Sequence, residues 1–304
     1  PFLNSYRVGF DNRGKIEALE VNLFSDGGAY ADLSTAIMER AMLHIDNAYF
    51  LPNVVITGQV CRTNFHPHTA FRGFGGPKGV ATIESILEDI SRVLNRDALD
   101  IRMINVYQSP NAETTPYGQK VENNLLPKLF LELEKKCDYR KRRIEVSNHN
   151  KSGVMTLRGI SLTAVKFGIS FTTKFLNQGN ALVAIQLDGS IQVSTGATEM
   201  GQGVNTRITQ CVVDFFGLNL NNSRVLPTST EKNHNTSPTA ASTGTDINAQ
   251  AALIACEKIK SRLAQVAVNM LTTDKSMWAS PINATLGVIS ELELNTDSAI
   301  IRDV

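Results

Sequence analysis

The sequence predicts an α+β fold of two domains, each a mixed sheet backed by helices. Three observations carry this. Apolar residues make up 42% of the 304, and charged residues 19%, which supplies two cores at about 150 residues per domain and excludes wholesale disorder. Segments that alternate apolar and polar residues and segments with helical spacing follow one another in both halves. A strand, a glycine-rich loop and a helix occur in that order once in each half, with no tight internal repeat. The expected domains are 1–150 and 151–304, with His149-Asn150-Lys151-Ser152-Gly153 as the linker.

The elements can be read in order. Tyr6 to Phe10 alternates, Asp11-Asn12-Arg13-Gly14 turns, and Leu19, Val21 and Leu23 alternate again, which reads as a hairpin with one wet face. Ser25-Asp26-Gly27-Gly28 is expected to end the second strand. Ile37, Met38, Ala41, Met42 and Ile45 predict a helix, and Val54 to Val60 another strand. Val80, Ile83, Ile86, Leu87, Ile90, Val93 and Leu94 form one apolar stripe of a helix. Residues 108–122 read as a loop. A helix follows with Leu125, Leu126, Leu129, Phe130 and Leu133 facing inward. The basic run Lys135 to Arg143 reads as a solvated helix end at the negative pole of the dipole, in preference to a nucleic-acid surface. In the second half, Val183, Ile185 and Leu187 turn at Asp188-Gly189-Ser190 and return through Ile191 and Val193. Val204, Ile208, Cys211, Val212, Phe215 and Phe216 define a helix, and a long one covers about Asp246 to Met270.

Lys plus Arg number 30 against 29 for Asp plus Glu, a net charge of +1, which argues against a general polyanion-binding surface. No run of about 18 apolar residues is available to span a membrane. The start at Pro1 shows neither an initiator Met nor a signal peptide, and is read as processed or cut from something longer. Cys61, Cys137, Cys211 and Cys256 are far apart, form no local metal motif, and suit reduced thiols in a cytosol. The histidines form no ligand set, and neither a nucleophile elbow nor a glycosidase-like acid pair stands out.

Three loops could bind a ligand. In Thr69-Ala70-Phe71-Arg72-Gly73-Phe74-Gly75-Gly76-Pro77-Lys78-Gly79, glycines let the backbone approach an anion, the next helix offers its positive pole, and Arg72 adds a fixed cation. The alternative is a tight turn whose glycines serve packing alone. In Thr198-Glu199-Met200-Gly201-Gln202-Gly203, the Gln202 amide can donate and accept, as an edge such as a pterin's requires, or the loop is capped by its own side chains. Asn235-Thr236-Ser237-Pro238-Thr239-Ala240-Ala241-Ser242 is rich in hydroxyls that could cap the following helix or hold an anion.

These three loops, together with Glu39-Arg40-Ala41 and Lys166-Phe167-Gly168-Ile169-Ser170-Phe171-Thr172, resemble the large molybdenum subunit of the xanthine dehydrogenase and aldehyde oxidase family. The resemblance runs from about Pro1 to about Arg262 and resumes over Gly287 to Val304. It implies two domains of the molybdenum cofactor-binding type with the cofactor between them. Arg72, Met200, Gly201, Gln202, Ala240, Ala241 and Ser242 would then hold molybdopterin. Arg40 would orient and polarise a purine, Phe74 and Phe171 would sandwich its ring, and Thr172 would donate near the reacting edge. Related aldehyde oxidases usually lack the arginine, so Arg40 favours purines; its bland alternative is a helix-surface cation. The implied reaction is hydroxylation of hypoxanthine or xanthine with water as oxygen source, electrons passing through iron–sulfur clusters and FAD to NAD in a cytoplasmic, dimeric assembly. Neither nucleic acid nor membrane is implied as a partner. The family's glutamate base, its upstream purine-binding glutamate, its cluster cysteines and its FAD domain are not in this sequence, so the chain is expected to be a piece of a larger subunit, inactive alone. Glu291 and Glu293 are not candidates for the base. The alternatives are an aldehyde or other N-heterocycle oxidoreductase of the same family and a non-catalytic assembly module.

Overall fold

The alternation at the start of the chain produces two long paired strands in the computed structural model, which describes residues 1–108, 110, 112–153, 155–233, 236–273, 292–295 and 298–301. Strands β1 (Phe2–Phe10) and β2 (Ile16–Gly28) run antiparallel, with Tyr6 opposite Val21 and Val8 opposite Leu19. Their turn is closed by Asp11, whose carboxylate accepts from the Arg13 and Lys15 N–H groups, both at 2.9 Å. β2 runs through Ser25-Asp26-Gly27-Gly28 and ends at Gly28, within the stretch expected to end it. A parallel partner, β3 (Val54–Arg62), sets Val60 beside Ser25 and Cys61 beside Asp26, so the polar stretch is held by ladder bonds. Parallel neighbours need a crossover, and α1 (Ser34–Met42) lies within it. Helix α2 (Gly76–Leu94) buries Ile83, Ile86, Leu87 and Ile90 together with Val21, Leu23 and Met38. Val93, expected in the same stripe, is exposed.

Helix α3 (Ala98–Asn105) is not signalled by the apolar pattern. Its N-cap is Asp97, which accepts from the Leu99 N–H at 2.9 Å. At its other end the buried Asn105 donates to the Gly14 carbonyl at 2.9 Å and accepts from the Ile16 N–H at 2.8 Å, fixing the first turn to the helix.

Two expectations for the next stretch are corrected. In α4 (Leu126–Lys136) only Phe130 is buried; Leu125, Leu129 and Leu133 are exposed. Phe130 packs with Leu99, Val106, Tyr139 and Leu162 in a small cluster that one side of a single turn can fill. The basic run is a helix end only in part. After Lys135 and Lys136 close α4, Arg140 to Arg143 open α5 (Tyr139–Lys151), at the positive pole of that helix. Carboxylates answer the unfavourable placement: Arg140 meets Asp100 at 2.7 Å and Glu134 at 2.5 Å, and Arg143 meets Asp97 at 3.0 Å. The expected linker residues His149 to Lys151 are the last turn of α5.

The chain divides into compact units, Pro1–Gly168 and Ile169–Val304. In the second unit β4 (Ala181–Ile185) and β5 (Ile191–Thr195) form the expected hairpin, Val183 opposite Val193. After α6 (Val204–Phe215), the short β6 (Ser223–Val225) joins β5 in parallel, and α7 (Gly244–Thr273) follows. The order strand, strand, helix, strand, helix, with one antiparallel and one parallel pairing, thus occurs in each unit. Ala249, Ala252 and Cys256 are buried apolar residues of α7, packed with Val204, Ile208 and Val212, while Ile254, Leu263 and Val266 are exposed. A last hairpin pairs β7 (Leu292–Asn295) with β8 (Ser298–Ile301). His234, Asn235 and Glu291 lie outside the described residues, and Glu293 is described only through its backbone in β7. Among the described residues no helix is long and apolar enough to cross a membrane. All four cysteines are free thiols.

Asp97 joins α3 to α5 and tests this account. Burial opposes its ionisation, but the Leu99 N–H, the Tyr139 hydroxyl and Arg143 outweigh burial and hold its carboxyl below the usual carboxylate range. A depressed folded value means that its contribution is complete at neutral pH and is lost as pH falls through that value. Asp97→Ala is expected to destabilise the chain by about 2 kcal/mol at pH 7 in chemical unfolding. The loss should shrink in acid, where the wild-type carboxylate is protonated too; an undiminished difference there would contradict the assignment.

Candidate functional site

In the first unit the chemistry gathers around the last turn of α1. Arg40 is only 3% exposed, so it is no helix-surface cation. Its guanidinium carbon lies 5.9 Å from the Phe74 ring centroid and 5.4 Å from that of Phe167, both within cation–π range. Arg40 also donates to the Gly168 carbonyl. The Gly168 N–H in turn donates to His44 Nε2 at 2.9 Å, and His44 Nδ1 lies 2.7 Å from the Arg40 carbonyl. A neutral imidazole has one donor and one acceptor, so these partners make Nδ1 the protonated nitrogen. Burial pushes the His44 pKa down, which favours the neutral ring.

The segment that brings Phe167 and Gly168 here is anchored along its length. Lys166 N–H donates to Asn47 Oδ1 and Asn47 Nδ2 to the Ala164 carbonyl, both at 2.9 Å. The Lys166 ammonium pairs with Asp46, which also accepts from the Tyr107 hydroxyl at 2.6 Å. Burial raises the Asp46 pKa, and the Lys166 charge opposes it.

The first glycine loop follows β3. Phe74 is buried with φ +49°, between Gly73 and Gly75 at φ +92° and +96°. A Cβ on Gly75 would stand 2.0 Å from the Ile37 carbonyl oxygen, one on Gly79 2.3 Å from that of Ala41, and one on Gly76 2.8 Å from the Phe167 ring. Packing of α2 on α1 therefore explains these glycines, which is the alternative the sequence left open. Arg72 is exposed on the same loop and makes no ion pair or hydrogen bond through its side chain among the described residues.

In the second unit, the other two loops meet: the Thr198 N–H donates to Thr239 Oγ1 at 2.8 Å. Gly201 and Gly203 have φ of +95° and +76°, and a Cβ on either would meet nothing within 4 Å. Unlike Gly75, Gly76 and Gly79 of the first glycine loop, they leave open space over a bare backbone. Glu199 shapes the turn, accepting from the Gly201 and Gly203 N–H groups at 2.9 Å and from that of Asn205 at 3.1 Å. The Asn205 bond, followed by those of the glycines, holds its carboxyl below the usual range. Gln202 closes the loop on itself, accepting from the Met200 N–H at 2.6 Å and donating to the Thr198 carbonyl at 2.9 Å. Both ends of the amide that suggested a ligand edge are thus engaged within the loop, while the Met200 side chain is exposed.

Ala241 and Ser242 are held at φ +54° and +58°, a conformation costly for residues with a Cβ, just before α7 begins. The Ala241 carbonyl accepts from the Ser170 N–H at 2.8 Å, which brings the segment with Phe171 and Thr172 to the third loop. Phe171 is buried, and Asn177 brackets its backbone with bonds of 2.8 and 2.9 Å; Thr172 is exposed. Open space over Gly201 and Gly203, hydroxyls from Thr239 and Ser242, and the positive pole of a long helix fit an anionic, hydrogen-bonding cofactor. Among the described residues no group of three or more His, Cys, Asp and Glu side chains could hold a metal ion directly. Sequence reasoning gave no role to His44, Phe167, Gly168, Asn177 or Glu199. Phe167 and Gly168 lay within a quoted motif, but an aromatic or a glycine carries no local mark of the residue it will support.

Models of the molybdopterin cofactor-binding domain match residues 1–106 and 132–283. The chain is 44% identical to xanthine dehydrogenase of Dictyostelium discoideum over 263 residues, covering 86% of the chain and 19% of that protein. Against xanthine dehydrogenase/oxidase of Mus musculus the identity is 43%, over 86% of the chain and 20% of that protein. The chain therefore spans about a fifth of the length of the curated relatives it matches. Among solved structures, CO dehydrogenase from Oligotropha carboxidovorans superimposes with a TM-score of 0.75 at 19% identity, covering 99% of this chain and 38% of that one. Aldehyde oxidoreductase from Desulfovibrio desulfuricans ATCC 27774 gives 0.72 at 24%, covering 84% and 28%. The fold is common to all of these, and with both cofactor-binding models matched and the sequence so close to the xanthine dehydrogenases, the chain belongs to the xanthine dehydrogenase family of molybdopterin cofactor-binding proteins.

Proposed function

We propose that the chain is the molybdopterin-holding part of a hydroxylase that oxidises purines of the hypoxanthine and xanthine type. Met200, Gly201 and Gln202, the Ala240-Ala241-Ser242 stretch, and Arg72 are assigned to the cofactor. Molybdopterin, when bound, supplies the two-electron redox chemistry of a hydroxylation whose oxygen comes from water. Gly201 and Gly203 support the assignment through the unfilled space above them, and Arg72 through its uncommitted charge. Iron–sulfur and FAD modules that carry electrons to NAD, a dimeric assembly and a cytoplasmic location belong to the same reading, which the similarity to whole xanthine dehydrogenases supports.

The observation that carries the purine assignment is the enclosed guanidinium of Arg40 against Phe74 and Phe167. A flat heteroaromatic ring matches aromatic faces, and a fixed cation in a site shielded from water stabilises charge that grows on a ring oxygen during attack. Phe74 is assigned to one face of the ring and Phe171 to another, with Thr172 donating at the reacting edge.

Two experiments on the full-length holoenzyme test this reading. Arg40→Met should lower kcat/KM for xanthine about 10- to 100-fold, the cost of a lost charged hydrogen bond, and leave an aromatic aldehyde nearly unaffected. Equal loss on both substrates would favour an aldehyde or other N-heterocycle oxidoreductase. Gly201→Val forces a β-branched residue to φ +95° and fills the space above the loop. Molybdenum and pterin content should fall while the circular dichroism spectrum stays that of the wild type; full cofactor occupancy would remove Gly201 from the assignment.

A further inference from the structure

We propose that His44 is a positioning residue that aims Arg40, acting through the backbone of Gly168. The inference rests on the reading of Arg40 as the purine-orienting group and adds the device that orients it.

The argument starts at the end of a helix. The last carbonyls of α1 lack intrahelical donors, and the Arg40 carbonyl is one of them. His44 Nδ1–H fills it at 2.7 Å, which would be ordinary capping if the ring stopped there. Its second nitrogen instead takes the Gly168 N–H at 2.9 Å, and the Gly168 carbonyl takes the Arg40 guanidinium. The bonds form a closed circuit that begins and ends on Arg40, from its main chain through the imidazole and a peptide unit to its side chain. The His44 ring is 4% exposed and lies 5.1 Å, centroid to centroid, from the Phe167 ring that flanks the guanidinium. One side chain therefore sets both the carbonyl and the aromatic wall between which Arg40 is held.

A neutral imidazole suits the task because it donates at one end and accepts at the other across a rigid plane. Lysine or arginine could not accept from Gly168, and an aromatic ring could do neither. Without the acceptor, the Gly168 peptide could rotate, and the arginine would lose the bond that the Gly168 carbonyl gives it while keeping its charge.

Asparagine and glutamine separate this role from simple capping. The Asn amide reaches about as far as Nδ1, so His44→Asn keeps the cap on Arg40 but abandons Gly168. The Gln amide reaches about as far as Nε2, so His44→Gln keeps the bond to Gly168. In full-length holoenzyme, His44→Asn is expected to lower kcat/KM for xanthine about tenfold, and His44→Gln to stay within about threefold of wild type. A residue that merely stabilises the helix would rank them the other way. In an Arg40→Met background, His44→Asn should cost nothing more on xanthine; an additive loss would overturn the proposal. Crystal structures of both His44 variants supply a readout independent of turnover. The bond from Arg40 to the Gly168 carbonyl should be lost in His44→Asn and kept in His44→Gln, and its persistence in His44→Asn would also overturn the proposal. If Arg40→Met leaves xanthine kinetics unchanged, the purine reading of Arg40 fails, and the crystal structures still decide whether His44 positions it.

Discussion

The site in the first unit depends on an irregular stretch of chain lying against one turn. From Ala164 to Gly168 there is no helix or strand to satisfy the main chain. Asn47 takes the Lys166 N–H and serves the Ala164 carbonyl, Asp46 takes the Lys166 ammonium, and His44 and Arg40 take the two ends of Gly168. Main-chain groups removed from water must find partners, so a strap without its own ladder can rest only where the surface beneath offers a matching series. The turn from Arg40 to Asn47 is that surface. Arg40, which we propose as a recognition element, is here also one of the residues that fasten the loop.

The fastening continues into the core. Asn47 also donates to Glu84 at 3.1 Å, and Glu84 accepts from the Tyr49 hydroxyl at 2.5 Å and from Arg102 at 2.7 Å. Arg102 is 3% exposed, so its charge is removed from water and is met by Glu84 and, at 3.7 Å, by Glu88. Loss of Glu84 would leave Arg102 buried with only the longer contact to Glu88, a larger penalty than the pair's own net worth. The network ties α2 and α3 to the turn under the strap. Its value lies as much in fixing one arrangement as in net stability.

Much of the fold was legible because its elements are amphipathic. The first hairpin, the α2 stripe and the β4–β5 hairpin announce themselves through alternation or helical spacing. The failures share a cause: apolar residues report that something is buried, not which side buries it. The leucines of α4 have helical spacing, yet the cluster beneath the helix takes Phe130 and leaves them exposed. α5 has almost no apolar face, and its arginines are held by acids of α3 and α4 that no local pattern connects to them. At the site, Arg40 and Phe74 could be named because they stand in motifs, and the structure brings them together. His44 could not, since a lone histidine acquires meaning only from partners as distant in sequence as Gly168. Gln202 marks the reverse limit: its chemistry was evident, but whether it faces a guest or its own loop depends on backbone geometry.

The contact between α1 and α2 has a bearing on inherited variation. Gly75 and Gly79 touch no candidate ligand group; they matter because α1 carbonyls occupy the room a methyl would need. A single added carbon there would wedge the helices apart and carry Phe74 away from Arg40, which under the proposed assignment alters ligand choice with every recognition residue intact. Alleles at such silent spacers would look harmless in any inventory of binding residues and still change what the protein accepts.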